Sequence, residues 1–73
     1  MAKEVIEVPL SGKITTCEKK VGDSVKEGDV ICNLEAMKME NAIMSSHNGK
    51  IIEMNVKPDQ VVEFGQVIAV IEY

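Results

Sequence analysis

The residues best suited to chemistry sit at the middle of the chain, in Glu35-Ala36-Met37-Lys38-Met39-Glu40. A lysine amine is useful in two ways. Buried, it can serve as a base or a Schiff-base former. Exposed, it is protonated near neutral pH and a poor nucleophile by itself, but another enzyme can acylate it. A short turn between acidic residues cannot desolvate an amine, so the pattern favours exposure and modification over catalysis by Lys38. Consecutive residues of a strand or turn point to opposite sides, so Met37, Lys38 and Met39 cannot all be buried. At least one methionine is expected in solvent, at a tip where polar turn formers are usual. With Lys38 it makes a small patch that a modifying enzyme can recognise. The plainer alternative is a surface lysine beside methionines that fill gaps in a core.

No other constellation competes. His47 lies in Ser45-Ser46-His47-Asn48-Gly49, which reads as a turn, and no motif ties a serine, cysteine or carboxylate to it. Cys17 and Cys32 lack metal-ligand spacing and read as small core hydrophobes of a reducing cytosol, with their redox state left open.

The elements that must position Lys38 are duplicated. Residues 12–35 align without a gap with residues 49–72, at a constant offset of 37, and nine of the 24 pairs are identical. They include Gly12/Gly49, Ile14/Ile51, Val25/Val62, Gly28/Gly65 and Glu35/Glu72. Self-similarity on this scale marks an internal repeat. The Lys38 segment joins the copies. The offset maps Lys38 onto Met1 and Ala36 onto Tyr73, so the junction is the symmetry mate of the chain ends. Two copies packed about a pseudo-twofold axis would bring the termini together on one side and set Lys38 on a hairpin tip at the other.

Composition narrows the class. The 73 residues form one small domain, 1–73, whose core must be aliphatic because Phe64 and Tyr73 are the only aromatics. A net charge of −4 with no arginine argues against nucleic acid, which calls for a basic stripe. No apolar run is long enough to span a bilayer, so direct membrane insertion is not expected, and the cytoplasm is the expected location.

Helical periodicity is absent, and the chain reads as all-β. Short Val/Ile-rich runs separated by glycine, proline and acidic residues predict strands near Lys3–Val8, Lys13–Lys19, Asp29–Glu35, Glu40–Ser45, Lys50–Val56 and Gln66–Glu72. Short extended pieces are expected around Val25 and Val62. In the third run Val30, Cys32 and Leu34 share one face, and Ile31, Asn33 and Glu35 the other. Apolar residues on the second face imply partial burial of both, as in a small closed or flattened barrel. Gly22 suits a turn with positive φ, and Pro58 opens the matching turn. Gly28 and Gly65 are expected where a bend leaves no room for a Cβ.

The chain resembles the biotinyl/lipoyl carrier domains, and specifically their biotinyl branch. Glu35-Ala36-Met37-Lys38-Met39-Glu40 resembles the biotin-attachment motif of biotin carboxyl carrier domains. The likeness covers roughly residues 8–72. It includes Pro9-Leu10-Ser11-Gly12-Lys13-Ile14, the turn Val21-Gly22-Asp23-Ser24-Val25-Lys26-Glu27-Gly28-Asp29-Val30, and Gly65-Gln66-Val67-Ile68. Lipoyl domains typically flank their lysine with Asp or other non-methionine residues, so Met37 and Met39 favour biotin. Departures fall in turns away from the motif: Ser11 replaces a proline, Ser46 stands where Ala-Pro is frequent, and Pro58-Asp59-Gln60 replaces a Gly-Asp turn.

The resemblance implies a flattened β-barrel, or barrel-sandwich hybrid, of two four-stranded antiparallel sheets. It implies that biotin protein ligase joins biotin to Nζ of Lys38 through an amide, using biotinyl-adenylate. Glu35, Ala36, Met37, Met39 and Glu40 would form the ligase or partner recognition segment. The chain would be a non-catalytic carrier, shuttling carboxybiotin between a biotin carboxylase and a carboxyltransferase or decarboxylase. The "thumb" insertion of common bacterial acetyl-CoA carboxylase carriers is absent between Thr15 and Val30. That absence tilts the expectation towards a transcarboxylase, an acyl-CoA or pyruvate carboxylase, or a biotin-dependent decarboxylase. Two alternatives remain: a lipoyl carrier of a 2-oxoacid dehydrogenase or glycine-cleavage system, and an unmodified module that uses the methionine tip as a protein contact.

Overall fold

The computed structural model describes residues 2–73, in eight strands. These are β1 (Lys3–Glu7), β2 (Gly12–Cys17), β3 (Ser24–Val25), β4 (Val30–Ala36), β5 (Met39–Met44), β6 (Gly49–Met54), β7 (Val61–Val62) and β8 (Val67–Glu72). Their β-branched composition suits a pleated, half-buried surface. They form two four-stranded sheets, in the orders β1-β8-β6-β3 and β5-β4-β2-β7, with all pairings antiparallel. One copy alone would leave an apolar face in water. The two sheets cover each other instead.

The repeat is a structural symmetry. Among the largest fully buried side chains are Ile14 and Ile51, Ile31 and Ile68, and Leu34 and Ile71, each pair 37 residues apart. Burying one such aliphatic side chain contributes about 2 kcal/mol. Loop hydrogen bonds repeat as well. The Glu18 N–H donates to Ile31 O and the Asn55 N–H to Ile68 O, both at 2.8 Å. The Gly22 N–H donates to Ile51 O at 2.8 Å, and the Asp59 N–H to Ile14 O at 2.7 Å. Gly22 has φ 96°, and Asp59 at the matching position has φ 69°, so an aspartate adopts the left-handed conformation that glycine provides in the first copy.

The same pairing separates the ends of an elongated body measuring 36 × 18 × 17 Å. Ala2 and Tyr73 exchange backbone hydrogen bonds at 2.9 Å in each direction, which ties the chain ends together. β4 starts beside the turn where the Gly28 N–H bonds Ser45 O, on the terminal side, and runs to Ala36 at the opposite end. Met1, the expected mate of Lys38, lies outside the described residues.

Two expectations need correction. The alternation predicted for β4 fails at its start: Val30 is half-buried, while Ile31 and Cys32 are both buried. The register against β5 shifts between Val30 and Cys32, and such a bulge lets consecutive residues face inward. Gly28 and Gly65 are not crowded, since a Cβ at either would meet nothing within 4 Å. Their requirement is conformational, with φ 90° and 85°. The crowded glycines are Gly12 and Gly49, where a Cβ would lie 2.3 Å from Glu35 O and Glu72 O respectively.

Candidate functional site

Lys38 sits on the two-residue turn that joins β4 to β5, with Ala36 opposite Met39 at its base. Met37 has φ 53° and Lys38 φ 64°. Positive φ at both central residues is the mark of a type I′ turn, whose twist matches that of a hairpin. Such turns favour Asn-Gly because side chains of ordinary size are strained there. Here methionine and lysine occupy both positions. Residue types alone did not reveal this, since the usual Asn-Gly signal is missing.

The tip stands in solvent. Met37 is 83% exposed and Met39 66%, and Lys38, Glu35 and Glu40 are exposed too. Where sequence reasoning required one methionine in water, both are there. Ala36 behaves differently. It is buried under the tip, and its Cβ would lie 3.1 Å from a Cβ placed on Gly12. The bare backbone of Gly12 therefore lets the end of β4 settle closely onto β2. Among the segment's six residues, Ala36 seats the hairpin while the other five face outward.

The surrounding polar contacts hold the hairpin walls. Thr15 Oγ1 donates to Asn33 O at 3.2 Å and lies 3.4 Å from Glu40 Oε2. Glu35 and Glu40 face each other directly across β4 and β5. Lys13, opposite Glu35 on β2, also lies 3.7 Å from Asp59 through its Nζ. Among the described residues Lys38 forms no ion pair, and its amine is accessible for acylation. An amide link needs such an amine, so the tip fits a covalently carried group. A shallow depression beside it is lined by Ser11, Gly12, Met37, Lys38, Val61 and Glu63. Ser11, expected in a turn away from the motif, thus lies next to the tip, because its loop packs against the one carrying Glu63 and Phe64.

Two side-chain clusters elsewhere had no sequence signal beyond the residues themselves. His47 Nδ1 lies 3.1 Å from Glu4 Oε1, and the His47 ring stacks on Tyr73 at 3.7 Å, clasping the terminal end. Cys17 and Cys32 face each other across β2 and β4 as free thiols, with Sγ atoms 3.3 Å apart. Burial, reinforced by the Cys17 thiol, pushes the Cys32 thiol up to about 12. No helix among the described residues is long and apolar enough to cross a membrane.

Comparison with known proteins agrees with this geometry. A family profile described as "Biotin-requiring enzyme" matches residues 4–71. The chain is 43% identical over 63 residues to the mitochondrial methylcrotonoyl-CoA carboxylase subunit alpha of Dictyostelium discoideum, covering 86% of this chain and 9% of that one. It is 43% identical over 53 residues to the biotin carboxyl carrier protein of acetyl-CoA carboxylase from Pyropia yezoensis, covering 73% and 34%. The crystal structure of Kluyveromyces lactis urea carboxylase superposes with a TM-score of 0.89 at 30% identity, over 99% of this chain and 6% of that one. The chain thus spans about a third or less of each of these relatives. The profile match over nearly the whole chain, the two sheets and the lysine hairpin lead to one assignment: the chain belongs to the biotinyl/lipoyl carrier domain family, on its biotinyl branch, and is a biotin carrier domain.

Proposed function

We propose that Lys38 is the attachment site for biotin, and that residues 1–73 act as one non-catalytic carrier domain of a biotin-dependent carboxylase, transcarboxylase or decarboxylase. The observation that carries this reading is the exposed amine on a left-handed two-residue turn, at the far end of a 36 Å body from the joined termini. That layout suits tethering at one end and presentation at the other.

Biotin protein ligase is the partner required first. Nζ must shed a proton and attack the acyl carbon of biotinyl-adenylate. The amide C–N bond forms, the acyl–phosphate C–O bond breaks, and AMP leaves. Glu35, Met37, Met39 and Glu40 supply the exposed recognition surface, and Ala36 fixes its seat. Once attached, biotin supplies a carrier for an activated carboxyl group. The domain holds the root of that arm rigid, which raises its effective concentration at a biotin carboxylase and at a carboxyltransferase or decarboxylase. The free cysteines fit a reducing compartment such as the cytoplasm.

Intact-mass measurement after co-expression with biotin ligase tests the site. One added biotin is expected, and none in Lys38→Ala. Biotin retained by that variant would refute the assignment. The mass increment also separates biotin from lipoate.

A further inference from the structure

The pseudo-twofold axis supplies an internal control. Loop positions flanking the Lys38 hairpin have mates at the terminal end in the same backbone setting. The Phe64 N–H donates to Ser11 Oγ, as the Glu27 N–H donates to Asn48 Oδ1. The Gly65 N–H donates to Val8 O, as the Gly28 N–H donates to Ser45 O. Conformation is thus held constant while side-chain chemistry differs.

The difference falls at three positions. Val61 and Phe64 are each 75% exposed, and Leu10 is exposed beside them. Their mates, 37 residues away, are Ser24, Glu27 and His47. The backbone therefore tolerates polar residues at all three positions, and burial does not explain the apolar ones. Val61 and Met37 line the same depression as Lys38, while Leu10 and Phe64 adjoin its residues Ser11 and Glu63. The charges differ too. Glu35 faces Glu40 at this end, whereas the mate pair is Glu72 opposite Lys3. Like charges directly opposed weaken a hairpin, and an attractive pair occupies the equivalent place at the other end. Exposed Glu63 adds to the acidic rim, and Lys13, which lines the same depression opposite Glu35, lies 3.7 Å from Asp59 through its Nζ.

We infer that Leu10, Val61 and Phe64, continuous with the Met37–Lys38 tip, form the docking face for the ligase that modifies Lys38, which would meet it with an apolar surface edged by basic residues. The inference rests on Lys38 being the attachment site. Contact geometry selects the ligase among the partners. An enzyme that acylates Nζ must bring its reactive carbon to bonding distance of the tip, so its surface covers the neighbouring face. Enzymes acting at the far end of the carried arm work at the arm's length from the domain. The acidic rim matches a basic partner edge and would steer encounter.

The test replaces each apolar residue by the residue type of its mate, in the full chain: Leu10→His, Val61→Ser and Phe64→Glu, singly and together. Biotin incorporation is followed with purified ligase, biotin and ATP. The triple variant is expected to raise KM for the carrier at least about tenfold, as loss of an aromatic-centred contact cluster does, with kcat little changed. The parent's KM should rise with salt. Glu27→Phe at the terminal end should leave both constants alone. A folded triple variant with unchanged KM overturns the inference, and so does a change in downstream carboxyl transfer alone. If the triple variant does not fold, Phe64→Glu alone decides on the same criterion. Lys38→Ala separates the two levels: biotin retained there refutes the attachment site, whatever the docking variants do.

Discussion

Replacing Met37 by asparagine should make this domain more stable while making it a poorer ligase substrate. Met37 and Lys38 both hold positive φ, at 53° and 64°. For a side chain with an ordinary Cβ, that conformation costs about 1–2 kcal/mol. Asparagine enters it far more readily, because its short polar side chain bonds the local backbone. The substitution sacrifices little packing, since Met37 is 83% exposed. The expected gain is therefore about 1 kcal/mol, which in a domain of this size raises Tm by about 4–8 °C. Differential scanning calorimetry of the unmodified protein measures it. Met39→Asn is the control. Met39 is also exposed but lies in β5, where asparagine is disfavoured, so its Tm should stay level or fall. A Met37→Asn protein that melts at or below the parent temperature would refute the claim that the turn is strained. Biotinylation of Met37→Asn should fall at the same time. Stability forgone at a site of recognition is a common pattern.

Further expectations concern the seat of the hairpin and the buried thiol. Gly12→Ala places a methyl 2.3 Å from Glu35 O, a backbone atom that cannot rotate away, and Gly49→Ala does the same at Glu72 O. Urea denaturation should show a loss of about 2 kcal/mol or more for each, and a neutral result for either would contradict the packing described. Cys32, pushed up to about 12 from an ordinary 9.0, keeps its proton in the folded state where the unfolded chain loses it. Stability should therefore fall as pH rises from about 9 towards 12. Cys32→Ala, which copies the residue type of its mate Ala69, should flatten that slope, and an unchanged slope would count against the burial argument. In the native protein iodoacetamide should reach Cys17 well before Cys32.

Much of this architecture is legible along the chain. All six longer strands lie within two residues of their predicted bounds, and the pieces around Val25 and Val62 are strands as well. Two local signals carry that information: the alternation of apolar residues and the recurrence of the same residues after 37 positions. The placement of Lys38 opposite the termini followed from the offset alone. Alternation was least reliable in β4, where the bulge that buries Ile31 beside Cys32 has no residue signature.

By itself, then, the sequence determined a duplicated all-β domain with an aliphatic core and a lysine carried on its outward joint. Those properties depend on which residues recur and how often. The tertiary structure alone decided the left-handed turn beneath that lysine, the 3.3 Å approach of Cys17 to Cys32, and the clasp of His47 on Glu4 and Tyr73. It also decided that the Lys38 end gathers exposed Met37, Val61 and Phe64 beside the acidic Glu35, Glu40 and Glu63. These features join residues 15 to 43 positions apart, or depend on how hairpin twist overrides local preference. Strand order and register bring such residues together, and neither is written in any single stretch of the chain.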